Sequence, residues 1–303
     1  MIVAGKGGVG KTTVTAALAT AAARTGMSVL IVEVEGKSGL AACFGEAALT
    51  YEEAELRPGV RARTLTPDDA LLEYLDDHGM RRVSKRLSRS GALDVVATAV
   101  PGMRDILVLG KVKQLEKAAA ADLIVIDAPA AGHAVSFLLS ARGLLDAVKV
   151  GPVQHQAADV VEMLADPTRC QVILVTLPEE TPVNELVDTA YHLEDRVGVS
   201  LGPVVVNGRY AAIDGLDADP VEAASVAATT LRDGERESLA AAADFRRHRM
   251  DLQREQIGRL GAQLPLPQLQ LPYLFNADLG RPELEQLAGD LLRAITELEG
   301  AHS

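Results

Sequence analysis

The chain has 303 residues, a formal net charge of -12, 48% apolar residues, 3% aromatics and no Trp. This acidity speaks against a nucleic-acid partner, because phosphate backbones are held mainly by Lys and Arg, and no apolar run is long enough to span a membrane as a helix. With so few aromatics the interior must be built from Ala, Leu and Val, which suits helices laid on a parallel sheet; Cys43 and Cys170, far apart and in no CxxC pair, read as small core residues.

The first stretch, Ile2-Val3-Ala4, is a short apolar strand, which allows a true start further upstream. Gly5-Lys6-Gly7-Gly8-Val9-Gly10-Lys11-Thr12-Thr13 follows, then an Ala-rich segment without Gly or Pro until Gly26. Strand, glycine loop and helix start in this order form a phosphate cradle, in which consecutive backbone N–H groups and a helix N-terminus converge on one anion. ATP or ADP is therefore the expected ligand, with Gly5, Gly7, Gly8, Val9, Gly10, Lys11, Thr12 and Thr13 around it. Lys11 is expected at the β/γ-phosphates and the Thr12 hydroxyl on a nucleotide-bound Mg²⁺, a hard cation that takes oxygen donors. A cradle beginning at residue 5 leaves no room for a signal peptide, so a cytoplasmic location is expected.

Ser28-Val29-Leu30-Ile31-Val32 is a continuous apolar strand that carries Glu33 and Glu35 to its carboxyl end, where ligands of open α/β sheets gather. Lys37 to Phe44 suggests a short helix, Val60 to Leu65 an edge strand, and Pro67 to Asp77 a helix with acids in its first turn. From about 79 to 120 the spacing is helical with no sheet strand, which predicts an inserted helical subdomain. Arg81, Arg82, Lys85, Arg86 and Arg89 line one side of its first helix, either as a solvated face or as a contact for an anionic partner or membrane surface. Asp122 to Asp127 reads as a buried strand whose final acid is placed to hold the water shell of Mg²⁺. Ala128 to His133 then reads as a switch-like loop before a helix from about Ala134 to Ala147. Gln171 to Leu177 predicts a strand, Val183 to Arg196 a helix and Pro203 to Asn207 a strand. A charged helical segment spans about 216–262. Pro265 to Leu271 is a proline-interrupted strand or an extended loop, and Pro282 to Leu298 an amphipathic helix. Strands alternating with helices imply right-handed crossovers, hence a single α/β domain over 1–303, doubly wound, with a mostly parallel sheet.

Lys6 is the less ordinary loop residue. A second lysine there resembles the deviant P-loop of the MinD, nitrogenase iron protein and ArsA ATPases, and the resemblance implies that Lys6 reaches the nucleotide of the facing subunit of a dimer. Over nearly the whole chain the sequence resembles the ArsA family, which includes the arsenite-pump ATPase, the tail-anchored-protein targeting ATPase and paired actinobacterial ATPases of unsettled cargo. The resemblance rests on the deviant loop, on Asp127 to His133 in place of Asp-Thr-Ala-Pro-Thr-Gly-His, and on Asp166-Pro167 followed by Val175-Thr176-Leu177-Pro178-Glu179. Asn207 looks like the family's adenine-reading asparagine, and Leu271-Pro272-Tyr273-Leu274-Phe275 like its adenine-side loop. The resemblance implies a Mg²⁺-ATP-dependent dimeric switch ATPase acting on a protein or membrane partner. Lys6, Lys11, Glu35 and Asp127 would carry the catalytic roles, and Asn207, Pro272 and Tyr273 would bind the base. A nucleotide-binding, weakly hydrolysing subunit of a heterodimer is the alternative, and a P-loop kinase with the Arg81 to Arg89 cluster as its lid is a further rival.

Departures from the family pattern narrow the expectation. Glu35-Gly36-Lys37-Ser38 stands where Asp-Pro-Ala-His is usual, and Glu35 is expected to orient the attacking water although its extra methylene moves the carboxylate by about a bond length. Glu33 competes for that role, and both acids also fit plain solvation of a strand end. The string Val32 to Gly36 looks most like the paired actinobacterial members. Ala128 and Ala131 replace two threonines, and His133 is either a switch residue or structural. Two separated cysteines do not make a thiolate site for arsenite, and no CxxC lies between Asn207 and Pro265 to hold zinc. The expected partner is a second copy or a homologous ATPase, with a membrane-protein or hydrophobic-helix client as a further expectation. A greasy groove for such a client would draw on Ala92 to Ala97 and Ile106 to Leu109, but the scattered methionines do not favour it. Attachment to the membrane would run through a partner.

Overall fold

A computed structural model describes residues 1–34, 39–77, 79–90, 102–129, 131–148, 150–276 and 278–301. Glu35 to Ser38, the Ala92 to Ala97 part of the expected groove, and Ala130 lie outside the described residues.

The first half of the chain runs β1 (Ile2–Gly5), α1 (Lys11–Arg24), β2 (Val29–Val34), α2 (Leu40–Cys43), β3 (Ala54–Arg57), β4 (Val60–Leu65), α3 (Pro67–Asp77), α4 (Arg81–Ser90), α5 (Met103–Lys117) and β5 (Leu123–Asp127). The second half continues with α6 (Ala131–Ala147), α7 (Pro152–Ala165), β6 (Gln171–Thr176), α8 (Glu180–His192), a π-helical turn at Leu193–Val197, β7 (Ser200–Leu201), β8 (Val204–Arg209), α9 (Pro220–Val226), α10 (Glu235–Gln263), β9 (Gln268–Pro272) and α11 (Arg281–Ala301).

The nine strands form one sheet in the order β3-β4-β2-β5-β1-β6-β8-β9, with β7 beside β6. Every pairing is parallel except β3 with β4. The fold is therefore the α/β, mostly parallel arrangement expected from the alternation of strand and helix. Alternate residues of the central strands feed two apolar layers. Ile2, Ala4, Leu30 and Val32 pack toward α5, α6, α7 and α8; Val3, Val29 and Ile31 pack toward α1 and α11. Burial on both faces is why these strands read as unbroken apolar runs. Helix α1 is buried continuously from Val14 to Ala21. Its small alanines let α11 close over it through Leu284, Leu287, Ala288 and Leu291, spaced one and two helical turns apart.

Two expectations are corrected, and one helix is added to them. Val60–Leu65 is not the edge strand, because β3 pairs antiparallel outside it; the Pro58-Gly59 turn folds the chain back, and the exposed Ala54 and Glu55 give the short, charged edge that resists pairing with another chain. Helix α6 begins at Ala131 instead of about 134, so the last residues of the expected switch loop already lie in its first turn. Helix α7, which the sequence reading leaves unassigned, starts with Pro152 at its first position, where a missing N–H costs nothing. The open choice over 265–271 resolves as the edge strand β9, with Pro265 and Pro267 ahead of it and Pro272 at its end.

Candidate functional site

Strand β1 lies between β5 and β6, although the chain visits β2 and β5 on one side before reaching β6 on the other. The loop after β1 therefore opens at the point where the winding reverses, outside the carboxyl ends of the strands, which is where doubly wound sheets leave a crevice. Two glycines show why the loop takes this course. A Cβ on Gly5 would stand 2.3 Å from the Val175 carbonyl oxygen of β6, so only a hydrogen fits. Gly10 caps α1 with φ 88, and a Cβ there would meet the Asn207 amide at 2.4 Å. Gly5→Ala should therefore destabilise the protein by about 1–3 kcal/mol through overpacking against backbone. A urea melt checks this, and an unchanged midpoint would contradict the close approach.

Helix α1 then presents Lys11, Thr12 and Thr15 toward β5. The Thr12 hydroxyl donates to Asp127 Oδ2 at 2.8 Å and the Thr15 hydroxyl to Asp127 Oδ1 at 3.3 Å. Lys11 Nζ donates to the Lys6 carbonyl oxygen at 3.0 Å, folding back over the loop. Burial raises the Asp127 pKa above the usual carboxylate value, against the opposing pull of Thr12, Lys11 and Thr15. Burial likewise lowers the Lys11 pKa, against the pull of Asp127. Each charge is thus held in surroundings that a bound charge of opposite sign would improve. A cation's water shell beside Asp127 and a phosphate beside Lys11 fit that requirement, and the close-packed glycine loop fits phosphate oxygens better than any side chain.

Glu33 lies beside Asp127 across the β2–β5 pairing. It is buried, and it accepts a hydrogen bond from Thr64 Oγ1 at 2.6 Å. Its negative charge adds to the rise in the Asp127 pKa. Lys6 Nζ meets Glu185 Oε1 of α8 at 2.5 Å within the same chain.

At the other end of the crevice, Asn207 on β8 donates from Nδ2 to the Val9 carbonyl oxygen at 2.9 Å and so ties β8 to the glycine loop. The register sets Pro272 opposite Arg209, and the Tyr273 N–H donates to the Arg209 carbonyl at 2.8 Å. The chain has only four Phe and five Tyr, and three of these meet here. Tyr273 lies edge-on to Tyr210 and Phe275, with ring centroids 5.1 and 4.7 Å away. The guanidinium of Arg246 from α10 covers Tyr210 at 4.5 Å. Phe275 is 69% exposed and Tyr273 46% exposed, so this aromatic surface is open to solvent.

The structure thus brings Gly5, Gly10, Lys11, Thr12, Asp127 and Asn207 together. Gly7, Gly8 and Val9 lie in the turn between β1 and α1, and Thr13 in the first turn of α1. Ala128 is buried and His133 is exposed in the first turn of α6. Thr15, Glu185, Tyr210 and Arg246 escape the sequence reading as site residues. Thr15 had a local signal, one turn after Thr12 on the same helix face; Glu185 and Arg246 are brought in from distant parts of the chain. Among the described residues no three of His, Cys, Asp and Glu cluster closely enough to hold a metal ion by themselves.

A glycine loop at the winding reversal, with Lys11, Thr12 and a strand-end Asp127 converging on it, defines a P-loop nucleotide-binding protein. The family model described as anion-transporting ATPase matches residues 1–150. ATPase BagA of Mycobacterium tuberculosis is 34% identical over 304 residues, covering 92% of this chain and 88% of that protein. An arsenical pump-driving ATPase of Escherichia coli is 30% identical over 217 residues, covering 69% of this chain and 34% of that protein. ATPase get3 of Schizosaccharomyces japonicus is 30% identical over 141 residues, covering 46% and 42% of the two chains. The chain belongs to the ArsA family of nucleotide-dependent ATPases.

Proposed function

We propose that the protein hydrolyses ATP with Mg²⁺ and works as a dimeric switch, with a second copy or a homologous ATPase as its partner subunit. The observation that carries the reading is the hydrogen bond between Thr12 and Asp127, residues 115 positions apart, directly beneath the glycine loop. When bound, Mg²⁺ would neutralise charge on the β- and γ-phosphates. Thr12 would supply an oxygen ligand and Asp127 would hold the coordinated waters. Lys11 and the loop N–H groups would stabilise the charge that develops on the phosphates, so that catalysis is positioning plus electrostatics. Asn207, Pro272 and Tyr273 would hold the adenine. Glu35, just beyond β2, would orient the attacking water; Glu33, buried and bonded to Thr64, is better placed to tune Asp127.

Lys6 would leave Glu185 and turn to the nucleotide of the facing subunit as the dimer closes. Both side chains of that pair are more than a third exposed, and such surface pairs hold weakly. Exchange for a phosphate is therefore inexpensive. Release of the closed dimer after hydrolysis would pass the signal to a protein or membrane client, as nucleotide switches do. The site of action would be the cytoplasm, and that client would be able to bring the protein to a membrane.

Lys6→Ala tests the dimeric part of the reading. The variant should bind a fluorescent ADP analogue with the parent's affinity yet turn over ATP about a hundredfold more slowly, the usual cost of losing one donor to the transition state. Parent-level steady-state turnover by Lys6→Ala would remove Lys6 from the mechanism.

A further inference from the structure

The most uneven run of charge in the sequence lies on α4, none of whose residues takes part in the site described above. This segment carries Arg81, Arg82, Lys85, Arg86 and Arg89 without a single acid between Gly79 and Ser90, in a chain of net charge -12. Arg81, Arg82, Lys85 and Arg86 are all exposed, and none of them makes an ion pair among the described residues. Elsewhere cations are paired as a rule, as Arg169 is with Glu116 and Lys113 with Asp159. Asp76 and Asp77, the acids nearest in sequence before α4, close α3 and make no ion pair with these cations.

Geometry sorts the helix into two sides. Ser84 is buried and Leu87 packs on the small cluster of Ala70, Leu71, Leu75 and Leu107, which fixes the inward side of α4. At about 100° per residue, Arg81, Lys85, Arg82 and Arg86 then fan across the opposite side over roughly 140°. Val83, 47% exposed, borders that fan with apolar surface on the Arg86 side. Cations spread over a convex face do not converge on one phosphate or one carboxylate, but they match a plane of smeared negative charge. Apolar side chains set beside them match the boundary between headgroups and acyl chains. The remaining acidic surface does not cancel this attraction, because charges farther away than about 10 Å are screened at ordinary salt.

We propose that the outward face of α4 docks directly on an anionic lipid bilayer. The interaction is electrostatic first, with Val83 entering the headgroup boundary, and it needs neither a partner protein nor the nucleotide site. No described helix is long and apolar enough to cross a membrane, so this contact would be peripheral.

The test is flotation of the full, nucleotide-free chain with phosphatidylcholine vesicles, neutral or containing about a third phosphatidylglycerol. The protein should float with the anionic vesicles, stay behind with the neutral ones, and be released by high salt. A variant combining Arg81→Gln, Arg82→Gln, Lys85→Gln and Arg86→Gln should lose affinity for the anionic vesicles by at least several tens-fold, since each basic residue near such a surface is worth about fivefold. Val83→Ser should weaken vesicle binding but leave binding to soluble polyglutamate unchanged. Far-UV circular dichroism of each variant controls for folding, and the salt and lipid dependences of the parent stand without any variant. Equal binding to neutral and anionic vesicles would overturn the proposal. So would parent-like binding by the folded fourfold variant, or binding to polyglutamate as tight as to vesicles and indifferent to Val83→Ser, which would identify an acidic protein as the ligand.

Discussion

Replacement of Lys11 by alanine is expected to lower ATP turnover by about a hundredfold or more while the fold remains intact. In the proposed mechanism Lys11 would supply the chain's own flexible positive charge at the β- and γ-phosphates, whereas the loop amides would contribute fixed partial charges. Among the described residues its Nζ bonds only the Lys6 carbonyl oxygen, and burial already lowers its pKa, so the nucleotide-free fold gains little from the charge. Removing a partly desolvated cation should leave the thermal midpoint at or above that of the parent. Phosphate release at saturating ATP, read beside a melting curve, separates loss of catalysis from loss of structure. A folded Lys11→Ala protein that hydrolyses ATP at the parental rate would end the ATPase reading.

Asp127→Asn should have the second large effect, and it should divide activity from stability. Turnover should fall by about a hundredfold, the cost of losing a charge that supports the reacting centre, while the nucleotide-free protein should melt higher than the parent. Burial, the largest influence on Asp127, raises its folded-state pKa above the unfolded value of 3.8. The charged form is therefore disfavoured in the fold. The stability tied to this group is complete below pH 3.8 and is lost as pH rises through the raised folded value. Near neutrality the parent carries the full penalty, and the asparagine variant, which keeps a carbonyl for the Thr12 hydroxyl, does not. The gap between the two melting temperatures should thus hold from neutral pH down to the folded pKa and close as pH falls from there toward 3.8. A variant that melts lower than the parent at pH 7 would show that Asp127 is structural, with Thr12 and Thr15 fully compensating its charge.

The sheet was legible because each central strand is apolar on both faces and is set off by glycine, proline or acid. What escaped lay at the margins. Strand β3 has no apolar run of its own and exists only because the Pro58-Gly59 turn folds it onto β4. Helix α6 starts earlier than expected, at Ala131, although Gly132 in its first turn is a weak helix former. At the site, the loop from Gly5 to Thr13 was readable in full, and Asp127 was readable from its place at the end of an apolar strand. The Lys6 to Glu185 contact was not, since its partners are 179 positions apart and an exposed glutamate on a helix has no local mark.

Asn207 shows the same division within one residue. Its position at the end of an apolar strand is visible in the chain, but its bond to the Val9 carbonyl oxygen, 198 positions away, depends on β8 lying two strands from β1 with β6 between them. The sequence by itself determined the phosphate cradle, because a ring of N–H groups around an anion requires consecutive residues, and consecutive residues are what a sequence displays. Only the tertiary structure decided that Thr15 joins Thr12 on Asp127, which carboxylate holds Lys6 and which aromatic rings gather around Tyr273. Those groups come from strands and helices brought together by the order of the sheet, and that order is settled by two-sided burial of many apolar residues at once, not by any local stretch.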